Sequence, residues 1–387
     1  MSIPPLPPPA KGTIRVAQFN AALNRPGAGV LLSDIRDGDA QVGAIATIIR
    51  AVRPDILLLN EFDRDAEGRA LDAFAALLSR SGDDVGRGVT GGPVDYPHRF
   101  HAPVNTGVPS HRDLDGDGRT TGPGDAWGWG AFPGQYGMAI LSRYPIRAEE
   151  ARTWQLFRWS SLPGALRPSL PDGALFHDDE TWGLLRLSSK SHWAVPIDTP
   201  DGALALIAAH PRPPVFDGPE DRNGRRNHDE IRLLHAIATE PSAEWLIDDA
   251  GRAGGVSAGT PFVIVGDLNA DPADGAARRE ALLALLADER VQDPRPRSDG
   301  AVSAAKTQGA GNQRQKGNAA HDTADWRDTP GPGNLRVDYV LPSIGLEVTG
   351  SGVFWPEPGT PGADLMASGK RAVSSDHRLV WVDIRLP

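Results

Sequence analysis

Polar residues stand at the ends of apolar runs, where a plain core would not place them. Asn20 closes TIRVAQFN, Glu61 closes DILLLNE and His210 closes ALALIAAH. Asp267 and Asn269 close FVIVGDLN, Asp338 sits inside RVDYVL, and Asp376 and His377 precede LVWVDI. Taken singly, each has an ordinary reading. Asn20, or Asp267 with Asn269, serves a turn; Glu61 is an exposed strand end; His210 and His377 are structural. Their ordered recurrence argues that they act together, because ligand sites gather where strand ends meet. Carboxylates and amide oxygens in a chain with no cysteine suit a hard cation such as Mg2+ or Mn2+. Histidines beside carboxylates suit proton transfer or the stabilisation of a charged oxygen. Acids buried together are costly without a cation or a basic partner. Lys190 and His192, in LSSKSHW, and Arg212 are candidate contacts for an oxyanion, Lys190 reading equally as a solvated loop residue.

A second acidic group has a different grammar. Asp113, Asp115 and Asp117 alternate and are followed by Gly118, as in the first half of a calcium loop. Gly124 stands where the twelfth-position Glu belongs, and Asp125 follows. The group is a candidate structural Ca2+ site, set in an insertion away from the strand ends; the competing reading is a solvated Asp/Gly turn.

The elements that must position these residues are legible as apolar patterns. Residues 39–53 and 66–80 have helical spacing, Pro54 stopping the first helix. Further helices are expected near 228–239 and over 276–289. Strands are expected at the runs named above and at GMAILS (137–142). Continuous apolar strands such as 55–59 and 262–266 imply burial on both faces. The strands are not evenly separated by single helices, which argues against a simple doubly wound sheet. The expectation is an α+β fold: a four-layer α/β/β/α sandwich of two stacked mixed sheets flanked by helices. Residues 1–11 read as a Pro-rich tether, and 12–387 as a single domain with insertions near 81–135, 150–195 and 293–334. Trp127, Trp129, Trp154, Trp159, Trp182 and Trp193 lie in or near these insertions and are expected to pack them onto the core.

Bulk properties bound the function. The chain has 387 residues, 40% hydrophobic, with Gly 44 and Pro 35 pointing to long ordered loops. Formal net charge is −10, which leaves no strong basic footprint for nucleic acid. With Cys 0, disulfides and thiolate metal sites are excluded. Mean hydropathy is −0.33, and no apolar run approaches the roughly 20 residues of a membrane span. MSIPPLPPPA is not a signal peptide as it stands; it fits equally the start of a secreted chain whose signal has been removed.

The ordered set QFN, LLLNE, YGMAILSRYPI, AAH, VGDLN, RVDYVL and SSDHRLVWVDI resembles the endonuclease/exonuclease/phosphatase superfamily, from about residue 13 to residue 385. GDLN with a terminal SDH is specific in combination. The resemblance implies that Glu61 is the acidic metal ligand with Asn20 beside it and Asp376 at or near a second metal position. It implies that Asp267 orients or deprotonates the attacking water, that Asn269 holds the phosphate or nucleophile, and that His377, fixed by Asp338, contacts the scissile phosphate. His210 matches the histidine of the deoxyribonuclease and sphingomyelinase branches, but follows Ala208-Ala209 rather than Asn-Thr or Asn-Val. The function so implied is divalent-metal-dependent hydrolysis of small or extracellular organic phosphates, mono- or diester. A nuclease and a non-catalytic binding module on the same fold are the alternatives. A glycosidase would have no use for the ordered Asn and His set.

Overall fold

The computed structural model describes residues 3–81, 91–368 and 371–387; part of the first expected insertion lies outside them. Two mixed sheets carry the fold. The first is ordered β12 (Glu347–Val353), β15 (Val380–Arg385), β1 (Ile14–Leu23), β2 (Ile56–Phe62), β4 (Met138–Ser142), β3 (His98–Phe100). The second is ordered β11 (Asp338–Pro342), β8 (Phe262–Asp267), β7 (Gly202–Ala209), β6 (His192–Thr199), β5 (Arg152–Thr153). Two short ribbons, β9 (Ala324–Asp325) with β10 (Asn334–Leu335) and β13 (Ala367–Ser368) with β14 (Arg371–Ala372), lie outside the sheets.

Each sheet has one parallel pair, β1 with β2 and β7 with β8; the other neighbours are antiparallel. A parallel pair needs a crossover. Helices α1 (Val30–Asp37) and α2 (Ala40–Val52) supply the first, and α5 (Arg222–Thr239) the second. The Asp39 carboxylate caps α2 by accepting from Val42 N at 3.0 Å, and Arg53 ends it in the left-handed region just before Pro54. Helices α2 and α3 (Arg69–Ser79) cover the first sheet, and α5 with α6 (Glu280–Leu286) the second.

Side-chain alternation explains the unbroken apolar runs. Leu204, Leu206, Ala208, Val263 and Val265 join the core between the sheets, while Ala205, Ile207, Ala209, Phe262 and Ile264 pack under α5 and α6. Both faces of these strands are therefore dry, and no polar alternation is tolerated until the strand ends. The result is the expected four-layer sandwich.

Register aligns those ends on one edge. Asn20 lies beside Asn60, Asp267 beside Asp338, and Gly266 beside Ala209, just before His210. A Cβ on Gly266 would meet Ala209 O at 2.2 Å, so only glycine allows this approach.

Several expectations need correction. The start is not a free tether: Ile3 is buried in the core, and Leu6 N donates to Ala51 O at 2.8 Å. Residues 98–100 form the edge strand β3, and β6 begins at His192 inside the supposed 150–195 insertion. Trp193 is consequently a core residue of β6, edge-on to Phe100 across the sheets with ring centroids 5.3 Å apart. Trp154 and Trp159 are buried loop anchors, whereas Trp129 is 45% exposed. Helix α5 starts earlier than expected, and α6 is shorter. Helices α4 (Asp179–Leu184) and α7 (Asp299–Gln308) lie in the regions read as loops. Among the described residues no helix is long and apolar enough to cross a membrane.

Candidate active site

The strand-end residues meet around the carboxylate of Asp267, which the end of β8 delivers beneath the core. Asn20 Nδ2, from β1, donates to Asp267 Oδ2 at 3.0 Å and to Glu61 Oε1 at 3.2 Å. His210 Nε2 and His377 Nε2 approach the same Asp267 oxygen at 3.4 Å and 3.7 Å. Asp267 Oδ1 accepts from the backbone N–H of Asn269 at 2.9 Å. Burial raises the Asp267 carboxyl, but His377, His210 and Asn20 outweigh it and hold the group well below the carboxylate range. It is an anion that orients what lies next to it.

His377 is locked from behind. Its Nδ1 lies 2.9 Å from Asp338 Oδ2, and Asp338 also accepts from Thr323 Oγ1 at 2.7 Å and Gln18 Nε2 at 3.0 Å. Burial disfavours the imidazolium, yet Asp338 and Asp267 more than offset it and hold His377 well above its ordinary range. Burial also raises Asp338, with His377 opposing. Three donors on one carboxylate place the proton of this pair on the imidazole. Nδ1–H therefore points to Asp338 and Nε2–H toward Asp267 and the cavity. Trp326 lies edge-on to His377, centroids 5.4 Å apart, and its Nε1 donates to Asp376 Oδ2 at 3.0 Å.

His210 differs in charge. Burial first, then Lys190, pushes it down to about 4, so it is neutral at neutral pH. Nε2–H then serves Asp267, while Nδ1 is buried with no hydrogen-bond partner among the described residues.

Glu61 sits at the mouth. Its φ of 55° is costly for a non-glycine residue and turns the carboxylate out of β2. Asn24 Nδ2 donates to its other oxygen at 2.7 Å. Burial raises Glu61 and Asp376 adds to the rise, against His377 and Lys190. Glu61 and Asp376 share the wall of a cavity of about 1030 Å³ with Asp267, Asn269 and His377.

Among the described residues, two groups could hold a metal ion: Asp267, Asp338 and His377, and Asp113, Asp115 and Asp117, each with ligand atoms within 4.8 Å of one another. In the first, both His377 nitrogens already face carboxylates. The oxygen groups of Glu61 and Asp376 fit a hard cation better, because among the described residues neither acid forms an ion pair. Asn20 presents its amide nitrogen to Glu61; to ligate a cation its amide must turn over and offer Oδ1.

The structure thus connects Asn20, Glu61, His210, Asp267, Asn269, Asp338, Asp376 and His377 in one network. It separates His192 from them: Nδ1 is 2.7 Å from Ser188 Oγ, Nε2 is 2.9 Å from Glu230 O, and burial pushes the ring down to about 4. With both nitrogens engaged, His192 is structural and has no group free for a phosphate. The acidic loop, expected to be remote, is adjacent instead. Asp115 lines a second cavity of about 590 Å³ that shares Glu61 with the first and also includes Lys190 and Arg212.

Gln18 and Asn60 were not singled out from the sequence as site residues. Gln18 Nε2 bridges Asn60 Oδ1 at 2.8 Å and Asp338, and Asn60 Oδ1 accepts from Asp267 N at 3.3 Å. These amides tie the two sheets together under the site. Their signal was present, as polar residues inside QFN and LLLNE. Thr323 and Trp326 flank the two-residue strand β9, whose sequence carries no comparable pattern.

This fold and this carboxylate–histidine network define a class. The endonuclease/exonuclease/phosphatase family matches residues 17–377, and the chain belongs to it. An endonuclease/exonuclease/phosphatase from Beutenbergia cavernae is similar in structure, with TM-score 0.52, 19% identity, and 97% of this chain and 72% of that one covered. The human Nocturnin catalytic domain (TM-score 0.43, 16% identity, 97% and 94% covered) and sphingomyelinase C from Streptomyces griseocarneus (0.43, 14%, 96% and 99%) are more distant. No curated protein matches the chain.

Proposed function

We propose that this chain is a divalent-metal-dependent hydrolase of small organic phosphoesters. The observation that carries the reading is Asp267 held as an anion next to a protonated His377 that Asp338 fixes, all beside the acids Glu61 and Asp376 on one cavity. Glu61, Asp376 and a turned Asn20 would hold the cation. When bound there, a divalent ion supplies a Lewis acid for a phosphoryl oxygen and for the departing oxygen.

The chain's own groups do the rest. Asp267 orients a water, with Asn269 setting the carboxylate angle through its N–H. The His377 Nε2–H is placed to donate to a non-bridging phosphoryl oxygen as charge shifts there. That donation draws the imidazolium's charge away from Asp267, whose carboxylate becomes the better proton acceptor at the moment the water attacks. Neutral His210 keeps Asp267 aligned through Nε2–H. A nuclease reading is weaker, because the formal net charge of −10 offers little attraction to a polyanion.

A panel of an aryl phosphomonoester, an aryl phosphodiester, plasmid DNA, RNA and a phospholipid, each with chelator and with Mg2+, Mn2+ or Ca2+, tests the proposal. Turnover of the small esters that chelator abolishes is the expected result. Turnover indifferent to chelator, or confined to the polymers, would overturn it.

A further inference from the structure

Phe216 is 85% exposed and adopts a φ of 67°, an expensive way to display an aromatic ring. The loop that carries it is not loose. Asn227 Nδ2 donates to Arg212 O at 2.8 Å, Asn269 Nδ2 to Pro211 O at 3.1 Å, and Asn223 Nδ2 to Val215 O at 2.7 Å. Glu230 Oε2 accepts from Arg212 N at 2.7 Å. Helix α5 and the end of β8 thus hold the backbone that presents the ring. It lines both the larger and the smaller cavity, which also share Glu61. The phosphate position therefore has room on two sides, and Phe216 stands between them.

The two cavities differ. The larger is walled by Trp326, Pro330, Pro332 and Leu335; its two arginines, Arg314 and Arg327, are exposed and are matched by Asp271 and Asp274 on the same wall. The smaller is lined by Lys190, Arg212 and Thr106. Lys190 is 6% exposed and Thr106 is 2% exposed, with its Oγ1 buried and unpartnered. Among the described residues no hydrogen bond or ion pair engages the Lys190 ammonium or the Arg212 guanidinium. Arg222, also on this wall, is already paired with Glu220. Asp115 and Glu61 line the same cavity. Glu230 acts on both cations and Glu61 on Lys190 as well, yet neither cation is hydrogen-bonded among the described residues, so both keep donors free for charge-assisted hydrogen bonds to an anionic ligand.

Building on the proposed hydrolase reading, we infer that the preferred substrate is a phosphodiester with two unlike arms: one bearing a second anionic group in the Lys190–Arg212 cavity, the other apolar or aromatic in the Trp326 cavity, with Phe216 wedged between them. A monoester fills only one side. In the reaction, the water oxygen forms a bond to phosphorus and the ester bond to the aromatic arm breaks. Asp267 takes the water's proton, and the arm departs with the bonding pair.

Three p-nitrophenyl phosphodiesters whose second arm is methyl, choline or a phosphorylated ethyl group, together with p-nitrophenyl phosphate, test this in Mg2+ and in Mn2+. The phosphorylated arm should improve kcat/KM roughly tenfold over methyl, about one charged hydrogen bond's worth, with choline worst. In Arg212→Gln the ratio of phosphorylated to methyl arm should fall to about one, and Arg212→Lys should restore part of it. Phe216→Ala should raise KM for the diesters about fivefold more than for the monoester, and Phe216→Tyr should rescue it; the exposed position keeps these variants folded. Equal rates on methyl and phosphorylated arms, or a choline preference, would overturn the inference and leave the hydrolase reading intact. No turnover of any ester in either metal would overturn the hydrolase reading and this inference with it.

Discussion

The cleft holds two acidic groups built in opposite ways. Around Asp267 the acids are buried, and each is answered by a side chain from a distant strand: Asn20, His210, His377, Gln18. In the 113–125 loop the acids are answered locally. Asp113 accepts from Gly116 N at 2.7 Å and Gly118 N at 2.9 Å, Asp117 from Arg119 N at 2.8 Å, and Asp125 from Leu114 N at 2.9 Å. Burial raises Asp125, the Leu114 N–H opposes it, and Asp115, Asp113 and Asp117 push it further up. A long-range network stores a charge arrangement that water cannot relax, which is what catalysis needs. A self-satisfied loop already has its hydrogen bonds, and it gains only repulsion relief from a cation. The first group should respond to substitution in rate, and the second in stability.

The largest expected effect is Asp267→Asn. The new amide nitrogen would face Asn20 Nδ2 and His210 Nε2–H, donors all, and no anion remains to orient water. Turnover should fall roughly 10²–10⁴-fold with the fold kept. Near-wild-type rates in saturating Mg2+ or Mn2+, read beside a matched circular dichroism spectrum, would break the assigned roles. Next comes His377→Ala, expected to cost about 10²–10³ in kcat with a smaller change in KM. A change confined to KM would mean that the imidazole binds the ground state only. Glu61→Gln should act differently in kind, raising the Mg2+ concentration for half-maximal rate roughly tenfold because a ligand charge is lost. An unaltered metal titration would remove Glu61 from the cation site. The smallest effect is expected in the loop: Ca2+ should raise the Tm of the wild type by about 1–2 °C and not that of Asp115→Ala, Asp117→Ala. Identical calcium-dependent shifts would count against the loop, and a loss of turnover in the double variant would show that the two groups are one site.

What the sequence made legible follows from the same physics. A polar residue that ends a strand buried on both faces is conspicuous, so Asn20, Glu61, His210 and Asp267 announced themselves, while Gln18 and Asn60, one or two places earlier, did not. The helices with a strong apolar stripe, α2 and α3, were equally clear. Strand β12 was not, because EVTGSGV has the composition of a turn. Its Gly352 makes room for the Trp381 ring, which a Cβ would approach to 2.9 Å. Pro196 hid β6, yet it sits beyond the point where β5 ends, so its missing N–H is not needed, and its carbonyl accepts from Arg147 N at 3.0 Å. His192 misled for the opposite reason. A histidine beside a lysine looks functional in one dimension, while its partners are the nearby Ser188 and the Glu230 carbonyl, which the packing of α5 supplies. The nearness of Asp115 to Glu61 is likewise a property of the folded loop and has no local sequence signal.

The pairing of β1 with β15, Ile14 opposite Ile384, has a consequence for how the molecule comes into being. The central strand of the first sheet is therefore synthesised long before its antiparallel neighbour. Until residues 380–385 emerge, one edge of β1 stays unpaired and β12 has nothing to join, so the sheet is open and exposed to association with other chains. Contacts of such sequence separation also slow closure. The same adjacency suits re-cutting the chain. A short linker from the end of β15 to the start of β1, with new ends opened in an exposed loop, would let the sheet's centre form from contiguous sequence. Such a permutant should refold faster than the parent while keeping the edge on which the active site is assembled.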